Sequence, residues 1–271
     1  MRTTVITCTY NRAEQLARGL ATIFKQTVLP DELVVVDDGS SDETRSVVER
    51  FHGHGVDIKY IYVDYPAPRI SCIPRNIGIK QATGDILIFT EPEALQFRDN
   101  IEKLLQRMKE HPNNTILASQ AWTMGEKIYK KLEEIYFENP QRLIEHPFAM
   151  LTDAEHPSNI VAPDSDWGIT GEAHCNAGIL FACRKEWLMD IRGFDESFEG
   201  HAHDDFNLFE RLAIYGKGIL KCPDIPVVHQ WHDKSFYNYN IYEAADRNGT
   251  MSVAHIKKYG YEANVGREWG V

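Results

Sequence analysis

Leu33-Val34-Val35-Val36-Asp37-Asp38-Gly39-Ser40-Ser41-Asp42-Glu43-Thr44 is an aliphatic run that ends in two carboxylates, a Gly-Ser turn and a string of helix-starting residues. A short continuous apolar run bounded by turn residues reads as a strand buried on both faces, the kind found inside parallel sheets. Upstream, Thr3 to Cys8 is a β-branched run, and Arg12 to Lys25 carries Leu16, Leu20, Ile23 and Phe24 at helical spacing, so the segment completes a βαβ unit. The pattern repeats. Asp42 to Phe51 predicts a helix capped by Ser41 or Asp42, Ile58 to Val63 a strand, Ser71 to Gln81 a helix and Asp85 to Thr90 a strand. This alternation predicts an α/β fold, a mostly parallel sheet flanked by helices, with ligands at the carboxyl ends of strands after Cys8, Val36 and Thr90.

Beyond Phe97 the rhythm loosens. Helices are expected over Asn100 to His111 and Gly125 to Tyr136, and Asn139 to Asp166, with prolines and no clear period, reads as a loop or lid. A second block follows: a strand at Ala177 to Cys183, a helix at Lys185 to Ile191, a Gly-Phe-Asp turn, a helix at Asp204 to Tyr215, and strands near Ile219 and Val227. The tail from Lys234 predicts helices at Ile241 to Arg247 and Ser252 to Tyr259. Tyr237, Tyr239, Tyr242 and Trp269 read as packing residues of the tail before they read as a stacking platform for a ligand.

Composition narrows the chemistry. Forty acidic against 29 basic side chains leave a net charge of −11 over 271 residues, which repels phosphate backbones and argues against dedicated nucleic-acid binding. No apolar run approaches the roughly 20 residues of a transmembrane helix, and Met1 to Gln15 lacks the pattern of a signal peptide. Five cysteines with no CxxC pair suggest neither a disulfide framework nor a thiolate zinc site, so a cytoplasmic location is expected. The sequons at Asn113 and Asn248 are then chance. No GxGxxG follows the first strand and no GK[ST] occurs anywhere, which sets dinucleotide and P-loop chemistry aside.

Three clusters carry chemistry. Thr9-Tyr10-Asn11-Arg12 and Asp37-Asp38-Gly39-Ser40 end the first two strands, where carboxylates can accept hydrogen bonds from a nucleobase or ribose, or simply cap a helix. Glu91-Pro92-Glu93 ends the strand Ile86 to Thr90. Side chains at i and i+2 of an extended segment share a face, and Pro92 disfavours helix at Glu91, so both carboxylates can meet one hard cation such as Mg²⁺ or Mn²⁺. Gly193-Phe194-Asp195-Glu196-Ser197-Phe198 leads to Gly200-His201-Ala202-His203-Asp204-Asp205 and on to Leu208, Arg211 and Leu212. Carboxylates at that helix start are expected to stay ionised, as a general base requires, though capping is the plain alternative.

With Arg75-Asn76-Ile77-Gly78 and Ala82-Thr83-Gly84-Asp85, these segments closely resemble the GT-A glycosyltransferases of family 2 over residues 3 to about 95 and again from Ala177 to Gly216. The Phe-Asp-Glu and Asp204-Asp205 segments also resemble the acceptor motif of galactosyl and hexosaminyl transferases. The resemblance implies a nucleotide-diphosphate sugar donor, expected to be a UDP-sugar, and a hydroxyl acceptor such as a glycan. It implies Thr9, Tyr10, Asn11 and Asp38 at the nucleoside, Arg75 and Glu91 at the diphosphate, and Asp205, beside Asp204, as base in an inverting transfer. Glu91 and Glu93 stand where the family carries Asp-x-Asp, and His229, with His232 in reserve, completes the divalent-metal shell. His201 and His203 replace the expected Trp and Gly. The organisation expected is a donor-binding half over 1–96, an acceptor-binding and catalytic half of the same domain over 97–233, and a helical tail over 234–271, with peripheral membrane association left open. The rivals are a sugar-nucleotide nucleotidyltransferase, which would want a Gly-rich basic loop where Thr9 to Ala13 has one Arg and no Gly, and a degenerate sugar-nucleotide or glycan-binding module.

Overall fold

The computed structural model describes residues 1–64, 72–123, 178–198, 200, 203–232 and 241–271. Among them the chain forms β1 (Thr3–Thr9), α1 (Ala13–Ile23), β2 (Glu32–Asp37), α2 (Thr44–Glu49), β3 (Asp57–Tyr62), α3 (Cys72–Gln81), β4 (Ile86–Thr90), β5 (Ala94–Gln96), α4 (Asn100–Glu110) and β6 (Asn114–Thr123). After the undescribed stretch come β7 (Leu180–Arg184), α5 (Lys185–Asp190), α6 (Asp204–Ile214), β8 (Gly218–His229) and α7 (Ile241–Tyr259). The helix expected at Gly125 to Tyr136 and the loop at Asn139 to Asp166 lie outside the described residues.

The strands form one eight-stranded sheet in the order β3-β2-β1-β4-β7-β6-β8-β5. The first four are parallel, as the alternating pattern predicts. Beyond them β7 runs antiparallel to both β4 and β6, and β5 antiparallel to β8, while β6 and β8 pair in parallel, so the sheet is mixed but mostly parallel, as expected. β2 shows why its sequence is uniformly aliphatic. Leu33 and Val35 face a core shared with α1, α2 and α4, while Val34 and Val36 face a second core shared with α3, α5 and α6. Each fully buried aliphatic side chain contributes about 1.5–3 kcal/mol, so a strand with two dry faces has no place for a polar residue until its end.

Three element boundaries differ from the sequence reading. The strands expected near Ile219 and Val227 are one strand, β8, which passes Pro223 and Pro226 because its ladder with β6 shifts register between Ala118 and Gln120. The two tail helices are one: α7 runs through Asn248-Gly249-Thr250, where Asn248 is fully buried and a Cβ on Gly249 would lie 3.1 Å from His203 Nε2. Small residues there let α7 approach α6, and tertiary packing overrides their weak helix propensity. Finally, α2 has Glu43 at its N-cap, with no side-chain capping bond, while Asp42 accepts hydrogen bonds from the backbone N–H of Thr44 and of Ala13. No helix among the described residues is long and apolar enough to cross a membrane.

Candidate active site

The carboxyl ends of β1 and β2 are stitched together by their own loop residues. Asn11, in the left-handed region at φ 47°, donates its backbone N–H to Ser40 Oγ (2.9 Å) and accepts from the Ser41 N–H through Oδ1 (2.8 Å). Asp38 N–H donates to the Thr9 carbonyl at 2.9 Å. Asp37 accepts from the Ser40 N–H (2.9 Å) and from the Tyr60 hydroxyl, so it is committed to shaping the turn, and Gly39 supplies the φ of 78° that the turn needs. Asp38, next along, is buried at the junction beside Thr9, with Tyr10 half-buried at the rim. Cys8, one residue before Thr9, has its thiol pushed up to about 12 by burial, against the nearby Arg75 cation, and is inert at neutral pH.

Glu91-Pro92-Glu93 is not extended, as the sequence reading has it, but forms a tight turn between β4 and β5, with the Ala94 N–H donating to the Glu91 carbonyl at 3.1 Å. The two carboxylates converge all the same. Ligand atoms of Glu91, Glu93 and His229 lie within 4.8 Å of one another, the spacing a single cation spans. The antiparallel pairing of Ala94 with His229 delivers the histidine to this turn from the far side of the chain. Helix α1 closes on the turn from below: a Cβ on Gly19 would lie only 2.8 Å from the Pro92 carbonyl oxygen. Oxygen and imidazole donors in this number suit a hard divalent ion. The electrostatics agree, because burial and then the Glu93 charge raise the Glu91 carboxyl to about 7, a penalty that a bound cation would relieve.

Arg12, which the sequence reading leaves without a role, joins this cluster. Its Nε donates to Glu93 Oε1 at 2.9 Å and its Nη2 lies 3.2 Å from His232 Nδ1. His232 therefore sits against Arg12, its ring 5.4 Å from that of His229. An Arg immediately after a strand that ends in a cleft was the available signal.

Arg75 forms the third part. From α3 it reaches the first turn of α6, pairing closely with Asp204, with Asp205 Oδ1 at 3.4 Å, and it lies 4.0 Å from Glu91 Oε1. Burial opposes the guanidinium charge, but Asp205, Asp204 and Glu91 together raise its pKa, so Arg75 is a fixed cation between the metal-competent cluster and the helix. The expectation that the helix start keeps Asp205 ionised needs correcting. Burial raises its carboxyl to about 7, Arg75 pulling it down and Asp204 and Glu91 pushing it up, because a helix terminus worth under about 1 kcal/mol does not offset that desolvation. Such a group is poised at neutral pH.

Gly178, at the approach to β7, leaves the room Asp205 occupies: a Cβ there would lie 2.1 Å from Asp205 Oδ2. His203, the N-cap residue at φ 67°, turns its ring toward Gly249 and Phe206, whereas His201 lies outside the described residues. Trp269 is buried in the second core with Lys80 over its ring at 4.3 Å, a packing residue as expected; Tyr237 and Tyr239 lie outside the described residues.

Comparisons with known proteins bear on the family and the fold. The Bacillus subtilis (strain 168) "Uncharacterized glycosyltransferase YfnE" is 28% identical over 268 residues, covering 86% of this chain and 65% of its own length. Validoxylamine A glucosyltransferase of Streptomyces hygroscopicus subsp. limoneus is 35% identical over 103 residues, 37% of this chain and 22% of the relative. The chain thus spans under two thirds of either relative. Among solved structures, S. aureus TarS 1-349 in complex with UDP-GlcNAc superposes with a TM-score of 0.66 at 18% identity, covering 99% of this chain and 68% of that one. The mannosyltransferase PcManGT from Pyrobaculum calidifontis, in complex with GDP-Man and Mn²⁺, gives 0.61 at 22% identity, covering 96% and 65%. These likenesses fix the fold as GT-A. With the family model for glycosyl transferase family 2 matching residues 4–188, from β1 through most of α5, the chain belongs to that family.

Proposed function

We propose that this protein is an inverting glycosyltransferase that moves a sugar from a nucleotide-diphosphate donor, a UDP-sugar, to a hydroxyl acceptor such as a glycan. The observation that carries the reading is the close grouping, at the carboxyl ends of β4 and β8, of Glu91, Glu93 and His229 with Arg75 and the poised carboxyl of Asp205. The bound GDP-Man and UDP-GlcNAc of the two structural neighbours support a nucleotide sugar as the donor class.

In this reading Asp38 accepts from the imide edge of the base, with Thr9, Tyr10 and Asn11 around the nucleoside. Glu91, Glu93 and His229 hold Mn²⁺ or Mg²⁺, which when bound supplies positive charge to the diphosphate. Arg75 adds a fixed cation on the diphosphate side of Asp205 and keeps a fraction of that carboxyl ionised at pH 7. Asp205 accepts the proton of the acceptor hydroxyl as its oxygen bonds to the anomeric carbon and the bond to the departing diphosphate breaks. A base on the face opposite the leaving group gives inversion. Asp204, paired with Arg75, steadies the cation instead of reacting.

Asp205→Asn tests the assignment, since it keeps shape and capping but cannot take a proton. Transfer should fall by on the order of 10²- to 10⁴-fold with donor affinity and melting temperature held. Near-normal transfer in this variant, with loss in Asp204→Asn, would move the base by one residue, and full activity in both would end the inverting mechanism.

A further inference from the structure

Beneath the metal-competent cluster lies a buried polar pair that the chemistry above leaves unused. Gln230, fully buried, follows His229 at the end of β8; Arg18, 1% exposed, comes from α1. Arg18 Nε donates to Gln230 Oε1 at 2.5 Å. That bond settles which way the amide points, because the flipped amide would set N–H donors against a guanidinium. Gln230 Nε2 then donates to the carbonyls of Gln15 in α1 (3.1 Å) and of Glu93 (3.2 Å). The Gln230 backbone N–H donates to the same Glu93 carbonyl at 3.0 Å.

One residue therefore ties together α1, the Glu91-Pro92-Glu93 turn and the end of β8. Two of the three metal-competent side chains, Glu93 and His229, hang directly from the backbone it clamps, and they come from segments more than a hundred residues apart in sequence. Apolar side chains of similar volume would fill this space with less desolvation. What the amide adds is direction: its Nε2 donates to the Gln15 and Glu93 carbonyls, and with the backbone N–H on the same Glu93 carbonyl it fixes the height of the turn over β8.

We propose that Gln230, oriented by Arg18, is a positioning residue for the divalent-metal site, holding Glu93 and His229 at the separation one cation requires. The proposal rests on the reading of Glu91, Glu93 and His229 as metal ligands. It is tested by titrating Mn²⁺, followed by calorimetry and electron paramagnetic resonance, into the full chain and the variants Glu93→Gln, Gln230→Met and Gln230→Glu. Melting temperature and the affinity for UDP without metal are measured in parallel. Gln230→Met keeps length and loses every side-chain bond, whereas Gln230→Glu keeps a partner for Arg18 and loses only the two donations.

The expected result is Mn²⁺ binding that Glu93→Gln abolishes and both Gln230 variants weaken by about 10- to 100-fold, with metal-free UDP affinity unchanged. Wild-type Mn²⁺ affinity in either folded Gln230 variant would overturn the inference while leaving the metal reading intact. Failure of the unaltered chain to bind Mn²⁺ would remove both. Parallel loss of metal and metal-free UDP binding, or failure of both Gln230 variants to fold, would make the pair a general structural prop and also end the proposal.

Discussion

Gly178→Ala probes Asp205 without touching it. A Cβ at 178 would stand 2.1 Å from Asp205 Oδ2 and 2.7 Å from its Cγ. Carbon and oxygen in close contact sit about 3.3 Å apart, so the carboxylate must retreat by roughly 1.2 Å. It is a short side chain with Arg75 3.4 Å from its other oxygen, so the retreat breaks that pairing or forces a strained rotamer. Overpacking of this kind costs about 1–3 kcal/mol of stability. A reacting group displaced by about 1 Å costs on the order of 10²-fold in rate, so turnover should fall by that factor while donor affinity holds. Single-turnover transfer, calorimetry with the nucleoside diphosphate and a melting curve give the three quantities. Because both substitutions act on one atom, adding Gly178→Ala to Asp205→Asn should cost little further rate. A folded Gly178→Ala protein with normal turnover would refute the argument, whether or not its melting temperature had dropped.

Asp38→Ala should weaken nucleoside diphosphate binding by about tenfold or more, the worth of one hydrogen bond to a charged group, while kcat changes little; unchanged affinity by calorimetry would return Asp38 to the turn alone. The metal-free protein should also lose stability as pH rises. Glu91 and Asp205 are both raised to about 7, so between roughly pH 4 and 7 the folded state keeps protons that the unfolded state has released; their stabilising contribution is full below that window and lost as pH passes 7. Glu91→Gln should flatten this slope in melting curves taken from pH 5 to 8, and an unaltered slope would assign it to other groups.

What the sequence made legible was what short-range chemistry determines. β2 reads as a buried strand because both its faces are dry, and the two acidic turns show because paired carboxylates break off an apolar run at each strand end. β5 is three residues long and carries no period. β6 does not show because Asn114–Thr123 mixes polar and apolar residues, its pairing supplied by β7 and β8. The sequence pattern of α7 breaks at Asn248-Gly249-Thr250, whose small size answers to α6 and not to its own helix. In the candidate site, Asp38, Arg75, Glu91, Glu93, Asp205 and His229 are nameable from motif, position and family resemblance. Arg18 and Gly178 are not, and the partners of Arg12 and Gln230 do not show in the sequence, because each acts across a contact between segments far apart in the chain.

The insertion of β7 into the middle of the sheet has a consequence for how the chain folds and how it can be cut. Until Leu180–Arg184 arrives, β4 offers one bare flank, and Ile86-Leu87-Ile88-Phe89-Thr90 is an apolar, uncharged, β-prone sequence. An exposed edge of that composition recruits other chains. A fragment ending near residue 96 would carry the turns proposed to bind the nucleoside yet self-associate. Closing that flank joins segments about ninety residues apart, a non-local contact that slows folding. The first half of the sheet thus depends for its solubility on a strand made long after it.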